Sequence, residues 1–214
     1  MTVSSRATAR SVAPHQQRAD DEVRALVEAG LAVLRRQGTA GLTVADVLAE
    51  AGLSTRAFYR HFHSKDELLL GVLDEGFRVL ASYLAHRVAG ADGAEAKIRA
   101  WISGVLEQAL QRDAAAATRP FAVSRARLAE LFPAEVAESE RTLVASLREA
   151  LAEGVARGAL SGADPERDAD AIYTLAFGWV ERKLCQRATA TRREAEHLVE
   201  FALAALRRPA ARAA

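Results

Sequence analysis

The chain has 214 residues, half of them apolar, 27% charged and only 6% aromatic. That composition suits one or two globular cores and leaves little of the β-branched and aromatic material that strands prefer. The formal net charge of +1 excludes any argument from overall charge for a polyanionic partner, and a single cysteine, Cys185, excludes an intrachain disulfide or a cysteine metal cluster.

Cys185 reads as a small buried apolar residue. No signal-peptide core and no long uncharged apolar run stands out, which predicts a cytoplasmic protein. Residues 1–19 carry Arg6, Arg10 and Arg18 with no acid and no hydrophobic period, so they read as a flexible basic arm. Asp20–Gln37 is predicted to be an amphipathic helix with Val23, Val27, Leu31 and Leu34 on one face, stopped by Gly38. Thr43 with Asp46 opens a short helix over Val44–Ala51, and Gly52 supplies the left-handed turn that ends it. Ser54 caps a second short helix reaching Phe62. Ser64 with Glu67 then opens a long one carrying Leu69, Leu73, Phe77, Leu80, Leu84 and Val88. Gly90 and Gly93 mark a break, after which helices are predicted near 94–112, 119–132, 134–158, 165–188 and 192–207. Pro133 and Pro165 fit first helical turns, Asp164 and Thr191 fit caps, and Pro209 closes the last helix ahead of a tail over 209–214. The chain therefore reads as all-α.

Val44–Phe62 has the layout of a helix-turn-helix. On the second helix Phe58 and Phe62 share a face that can pack on Val44, Val47 and Leu48. Thr55, Arg56, Tyr59 and Arg60 cover the adjoining arc. No core requires that polar arc, whereas a DNA major groove accepts one helix between walls of phosphate. Arg56, near the helix start, has the reach for a bidentate contact to guanine. Thr55 suits a base edge or thymine methyl, and Tyr59, His61 and Lys65 suit phosphate. The competing reading is a solvated helix face that happens to be basic.

The stretch "GLTVADVLAEAGLSTRAFYRHFHSKDELL", residues 41–69, resembles the tetracycline-repressor (TetR) family of transcriptional regulators. Ala51-Gly52-Leu53-Ser54, then Tyr59, His61-Phe62 and Ser64-Lys65, carry the resemblance. It implies an N-terminal three-helix DNA-binding domain, here 20–66, and a C-terminal helical ligand-binding and dimerisation domain, here 67–208. It further implies a homodimeric repressor released from a near-palindromic operator by a small-molecule effector. By matching positions, Thr43, Ser54, Tyr59, His61 and Lys65 hold phosphates, while Thr55 and Arg56 meet bases. The family often has glycine where this chain has Arg56, so that base contact rests on helix geometry.

The family dimerises through its last two helices, where Gly178, Trp179, Leu198, Phe201, Ala202 and Ala205 are the candidates. Gly178 inside a helix costs about 1 kcal/mol relative to alanine unless another backbone comes close. An effector cavity falls among the helices between 94 and 188, with Trp101, Val105, Phe121, Leu128, Leu143 and Phe177 as apolar lining and Arg125 as polar anchor. That lining favours a hydrophobic or amphipathic effector, and no cofactor is implied. An enzyme is the alternative class, but Glu194-x-x-His197 lacks the second copy a di-iron bundle needs, and His61 and His63 lie on different helix faces. A helical adaptor is the other alternative, and it leaves the polar arc and the basic arm without a use.

Overall fold

The computed structural model describes residues 3–207, with side chains from Gln16 onward, and the tail 209–214 with Pro209 lies outside them. The chain divides into two compact units, residues 1–73 and 74–214. Among the described residues every regular element is a helix.

The first unit holds α1 (Val3–Gly41), α2 (Val44–Ala51), α3 (Thr55–His61) and the start of α4 (Lys65–Ala89). Helix α1 starts well before Asp20, so residues 3–19, expected as a flexible arm, are helical. Their alanine, arginine and glutamine content has good helix propensity, and the amphipathic segment that follows supplies the nucleus. Gly38 does break the helical path, at φ 70° and ψ 179°. The buried face of α1 is centred on Leu26, Ala29, Val33 and Leu34, one residue round from the predicted stripe. Val23, Val27 and Leu31 sit at its half-buried margin. Gly30 on that face lies so close to α4 that a Cβ there would meet Val72 at 3.0 Å. Leu42, Val47, Phe58, Leu68, Val72 and Leu73 complete this core.

The second unit holds the rest of α4 and α5 (Ala94–Leu110), α6 (Arg112–Leu131), α7 (Pro133–Ala156), α8 (Pro165–Cys185) and α9 (Arg192–Leu206). Helix α5 is central, touching α6, α7, α8 and α9, and buries Ile98, Trp101, Ile102, Val105 and Leu106 almost completely. Helix α7 comes close enough that a Cβ on Gly154 would stand 2.9 Å from that of Ala94. Helix α6 begins at Arg112 rather than 119 because the run Ala114–Ala117 is the strongest helix-forming composition available. Pro120 is accommodated within it, and its carbonyl accepts the Ser124 hydroxyl at 2.8 Å.

Helix α8 stops at Cys185 rather than at 188, where Arg187 enters the left-handed region at φ 52°. Cys185 is exposed, not buried as expected, because it faces outward in the last turn of α8. Asp164 caps α8 through the Glu166 and Arg167 amides, with Pro165 in the first turn. Thr191 and Glu194 form a full capping box on α9. Lys183 donates to Glu194 at 2.7 Å, and this bond, followed by those from Thr191, lowers the Glu194 carboxyl to about 2.

A carboxyl depressed on folding contributes stability above its ordinary pKa and loses it as pH falls through the folded value. We therefore expect the protection of the first amides of α9, taken as intrinsic over observed exchange rate at each pH, to fall as pH drops from about 4.5 toward about 2. Glu194→Gln should remove most of that pH response, whereas an unchanged response would place it on another group.

Candidate nucleic-acid interface

Two caps and a left-handed turn set the geometry of α2 and α3. The Thr43 hydroxyl accepts the Asp46 amide at 3.1 Å and donates to the Asp46 carboxylate at 2.6 Å. Gly52 at φ 64°, ψ 28° ends α2 in the conformation that glycine adopts without cost. Ser54 then accepts the Ala57 amide at 3.2 Å and starts α3. The next break is similar. Ser64 accepts the Glu67 amide at 3.1 Å, while the Glu67 carboxylate takes the His63 amide rather than that of Ser64.

These constraints fix which side of α3 faces inward. Ala57 and Phe58 are buried and Phe62 nearly so, with the Phe58 and Phe62 rings 5.8 Å apart. On α2, Val47 is fully buried, whereas Val44 and Leu48 are only half-buried. Thr55, Arg56, Tyr59 and Arg60 are all exposed. Tyr59 is 56% exposed although its ring leans edge-on against Phe58 at 5.2 Å. Arg56 forms no ion pair with any described residue, and neither does Lys65, half-buried in the first turn of α4. Thr43 and Ser54 are exposed, but both hydroxyls already serve as caps.

His61 and Arg60 have a partner that sequence reasoning missed. His61 Nε2 lies 2.8 Å from Glu22 Oε2, and the His61 side chain is only 9% exposed. Arg60 donates to the same oxygen at 3.0 Å while staying 54% exposed. The hydrogen bond from His61, aided by the Arg60 charge, holds the Glu22 carboxyl below its ordinary value. His61 therefore turns toward α1, away from the arc occupied by Arg56 and Tyr59. Glu22 stands 39 residues from His61, beyond the reach of any local spacing rule.

The residues expected to line an effector cavity fall into two groups. Trp101, Val105, Leu128 and Leu143 are packed core, although Trp101 Nε1 has no hydrogen-bond acceptor among the described residues. Phe121, Arg125 and Phe177 are half-buried. Phe177 stacks with Tyr173 and Phe77 at 4.8 and 5.9 Å. Arg125 pairs with Glu140 at 2.6 Å and with Glu181 at 3.7 Å. Burial pushes the Tyr173 hydroxyl well above its ordinary pKa. A cavity of about 280 Å3 opens elsewhere, along α5 and the start of α9, and is lined by Arg87, Arg99, Ser103, Glu107, Arg192 and Glu196 among others. None of the expected lining residues reaches it.

The dimer candidates also divide. Trp179 and Ala202 are buried in the chain's own core, with the Lys183 ammonium 5.6 Å from the Trp179 ring centre. Leu198 is half-buried, while Gly178 and Ala205 are exposed. Phe201 is 59% exposed, and a Cβ on Gly178 would meet nothing within 4 Å. Among the described residues no three His, Cys, Asp or Glu side chains group as metal ligands, and no helix is long and apolar enough to cross a membrane.

Residues 26–72 match the family model described as bacterial regulatory proteins, tetR family. No curated protein matches the chain. Among solved structures, a tetR-family transcriptional regulator from Pectobacterium atrosepticum aligns at 21% identity over 89% of this chain and 92% of its own, with a TM-score of 0.69. RolR in complex with resorcinol aligns at 13% identity over 93% and 100%, with a TM-score of 0.68. The transcriptional regulator FadR from Bacillus subtilis, in complex with stearoyl-CoA, aligns at 18% identity over 86% and 96%, with a TM-score of 0.63. The chain thus shares the all-helical fold of these solved structures. Within its N-terminal unit, residues 26–72 carry the segment that the tetR family model describes.

Phe58 joins the exposed polar face of α3 to the core, so Phe58→Ala should destabilise the first unit by about 3–5 kcal/mol. Hydrogen exchange across residues 26–72 is the measurement. Both tryptophans, Trp101 and Trp179, report on the second unit, and their fluorescence should be unaltered at native conditions.

Proposed function

We propose that this protein is a homodimeric transcriptional repressor that reads a near-palindromic operator through α3 and leaves it when a small molecule binds the C-terminal unit. The observation that carries the reading is the exposed arc of Thr55, Arg56, Tyr59 and Arg60, on a helix whose opposite side is closed by Phe58. Arg56, which pairs with no acid among the described residues, takes guanine in this reading, and Thr55 a neighbouring base. Tyr59 and Lys65 hold phosphates, with Thr43 and Ser54 contributing whatever hydroxyl capacity their caps leave. Two such helices reach one face of the duplex when half-sites lie about one helical turn apart or slightly more.

Pairing through α8 and α9 is supported by Gly178 and Phe201. An interior glycine with open space around it and an exposed phenylalanine are both costly in an isolated chain, and a second copy seated there would account for both. An effector site in the second unit is supported by the small molecules that accompany RolR and FadR, resorcinol and stearoyl-CoA. The rings of Phe177 and Tyr173 beside the Arg125–Glu140 pair offer it apolar lining with a polar edge. Operator and effector then oppose each other reciprocally, by about 1–3 kcal/mol. No catalytic role is assigned to any residue.

Arg56→Ala should cost about 1–3 kcal/mol on operator DNA and much less on random DNA, because it removes a base contact. Lys65→Ala should weaken both DNAs alike and reduce the salt slope by about one. Fluorescence anisotropy on a duplex selected by the protein and on its shuffled counterpart measures both. Equal losses for Arg56→Ala on the two DNAs would show that Arg56 only holds phosphate.

Sedimentation should find the full chain at twice its mass, and Phe201→Glu should shift it to monomer with most operator affinity lost. A wild-type chain that stays monomeric at every concentration would remove the two-half-site reading.

A further inference from the structure

Glu22 belongs to α1, a helix given no part in reading DNA, yet one of its oxygens holds two residues of the reading helix. Glu22 Oε2 takes His61 Nε2 at 2.8 Å and Arg60 Nη1 at 3.0 Å. The pair partners lie 38 and 39 residues away along the chain, so this is a tertiary clasp and not a helical i, i+4 contact. Its position matters because α3 has only seven residues, far below the length at which a helix persists alone. Ser54 fixes the start of α3, Phe58 its middle, and Glu22 its last turn.

The clasp treats its two partners differently. His61 is nearly enclosed, so its bond to Glu22 orients α3 against α1. Arg60 remains 54% exposed on the side that carries Arg56 and Tyr59. In the free protein its charge is balanced by a carboxylate that is itself only 15% exposed. Binding to random DNA comes almost entirely from cations reaching phosphates, whereas operator binding adds base contacts that need a fixed helix orientation. An acid that restrains one cation and orients the helix therefore acts against random DNA and in favour of the operator.

We propose that Glu22 is a positioning residue that sets the preference of this protein for operator over random DNA, by anchoring α3 through His61 and withholding Arg60 from phosphate. The inference rests on the DNA-reading function proposed above. Glu22→Gln keeps a hydrogen-bonding side chain of the same shape and removes the charge.

The test uses the full chain, the duplex it enriches most strongly from a random-sequence pool, and a shuffled duplex of equal composition, each titrated across 50–200 mM KCl. Glu22→Gln should bind the shuffled duplex roughly 3–10-fold more tightly at the low-salt end, with a salt slope steeper by about one. The ratio of enriched to shuffled affinity should fall several-fold. Adding Arg60→Ala to Glu22→Gln should reverse the gain and restore the slope. In the wild-type background, Arg60→Ala should leave the shuffled-duplex slope nearly unchanged, and that arm does not depend on how Glu22→Gln folds. Parallel weakening on both duplexes with an unchanged slope would overturn the role given to Glu22 and leave operator reading intact. So would a slope that drops by about one for Arg60→Ala alone. If no duplex is enriched at all, operator reading and the role of Glu22 fall together.

Discussion

A seven-residue helix cannot hold its own shape, and the rest of the N-terminal unit is organised around that constraint. Nucleating a helix fixes several residues for each hydrogen bond gained, so α3 exists only because its surroundings hold it. Phe58 does most of this, fully buried among the side chains of the first unit. The Ser54 cap and the Gly52 turn set the direction in which α3 leaves α2. Once Phe58 faces inward, the 100° step of the helix puts Thr55, Arg56, Tyr59 and Arg60 outward. The polar face is thus a geometric consequence of one aromatic side chain finding its core.

The same logic explains which features could be read from sequence. Caps and glycine turns are local chemistry, and Thr43, Gly52, Ser54, Asp164 and Thr191 all act as their residue types predict. The exposed arc of α3 follows from helical period alone. The orientation of His61 does not, because its partner Glu22 is remote in sequence and no local spacing announces it. The face of α1 came out one residue off for a related reason. Small residues such as Ala29 and Gly30 hardly register as apolar, yet Ala29 is buried and α4 comes close at Gly30.

In the C-terminal unit the apolar pattern carries less information, since α5 is buried against helices on every side and its stripe is nearly continuous. On α9 the positions Ala195, Val199, Ala202, Leu203 and Leu206 face the chain's own core, and Phe201 with Ala205 faces out. Both sets look equally apolar in sequence, and only burial separates Ala202 and Trp179 from Phe201 and Ala205. Gly178 differs from both sets, since a Cβ there would meet nothing within 4 Å among the described residues. The aromatic and ionic cluster of Phe177, Tyr173, Arg125 and Glu140 draws on three helices. No spacing within a single helix could have announced Tyr173 or Glu140.

In the function proposed above, two copies of α3, held outward by Phe58, read two equivalent half-sites. Hydroxyl-radical footprinting of the full chain on the duplex it enriches from random-sequence DNA tests this most directly. The expected result is a sequence with dyad symmetry and protected patches on one face of the helix, spaced by about one turn or slightly more. Replacing Thr55, Arg56 and Tyr59 together should abolish both patches while the first unit stays folded. A single asymmetric patch, or protection that survives the triple replacement, would contradict it.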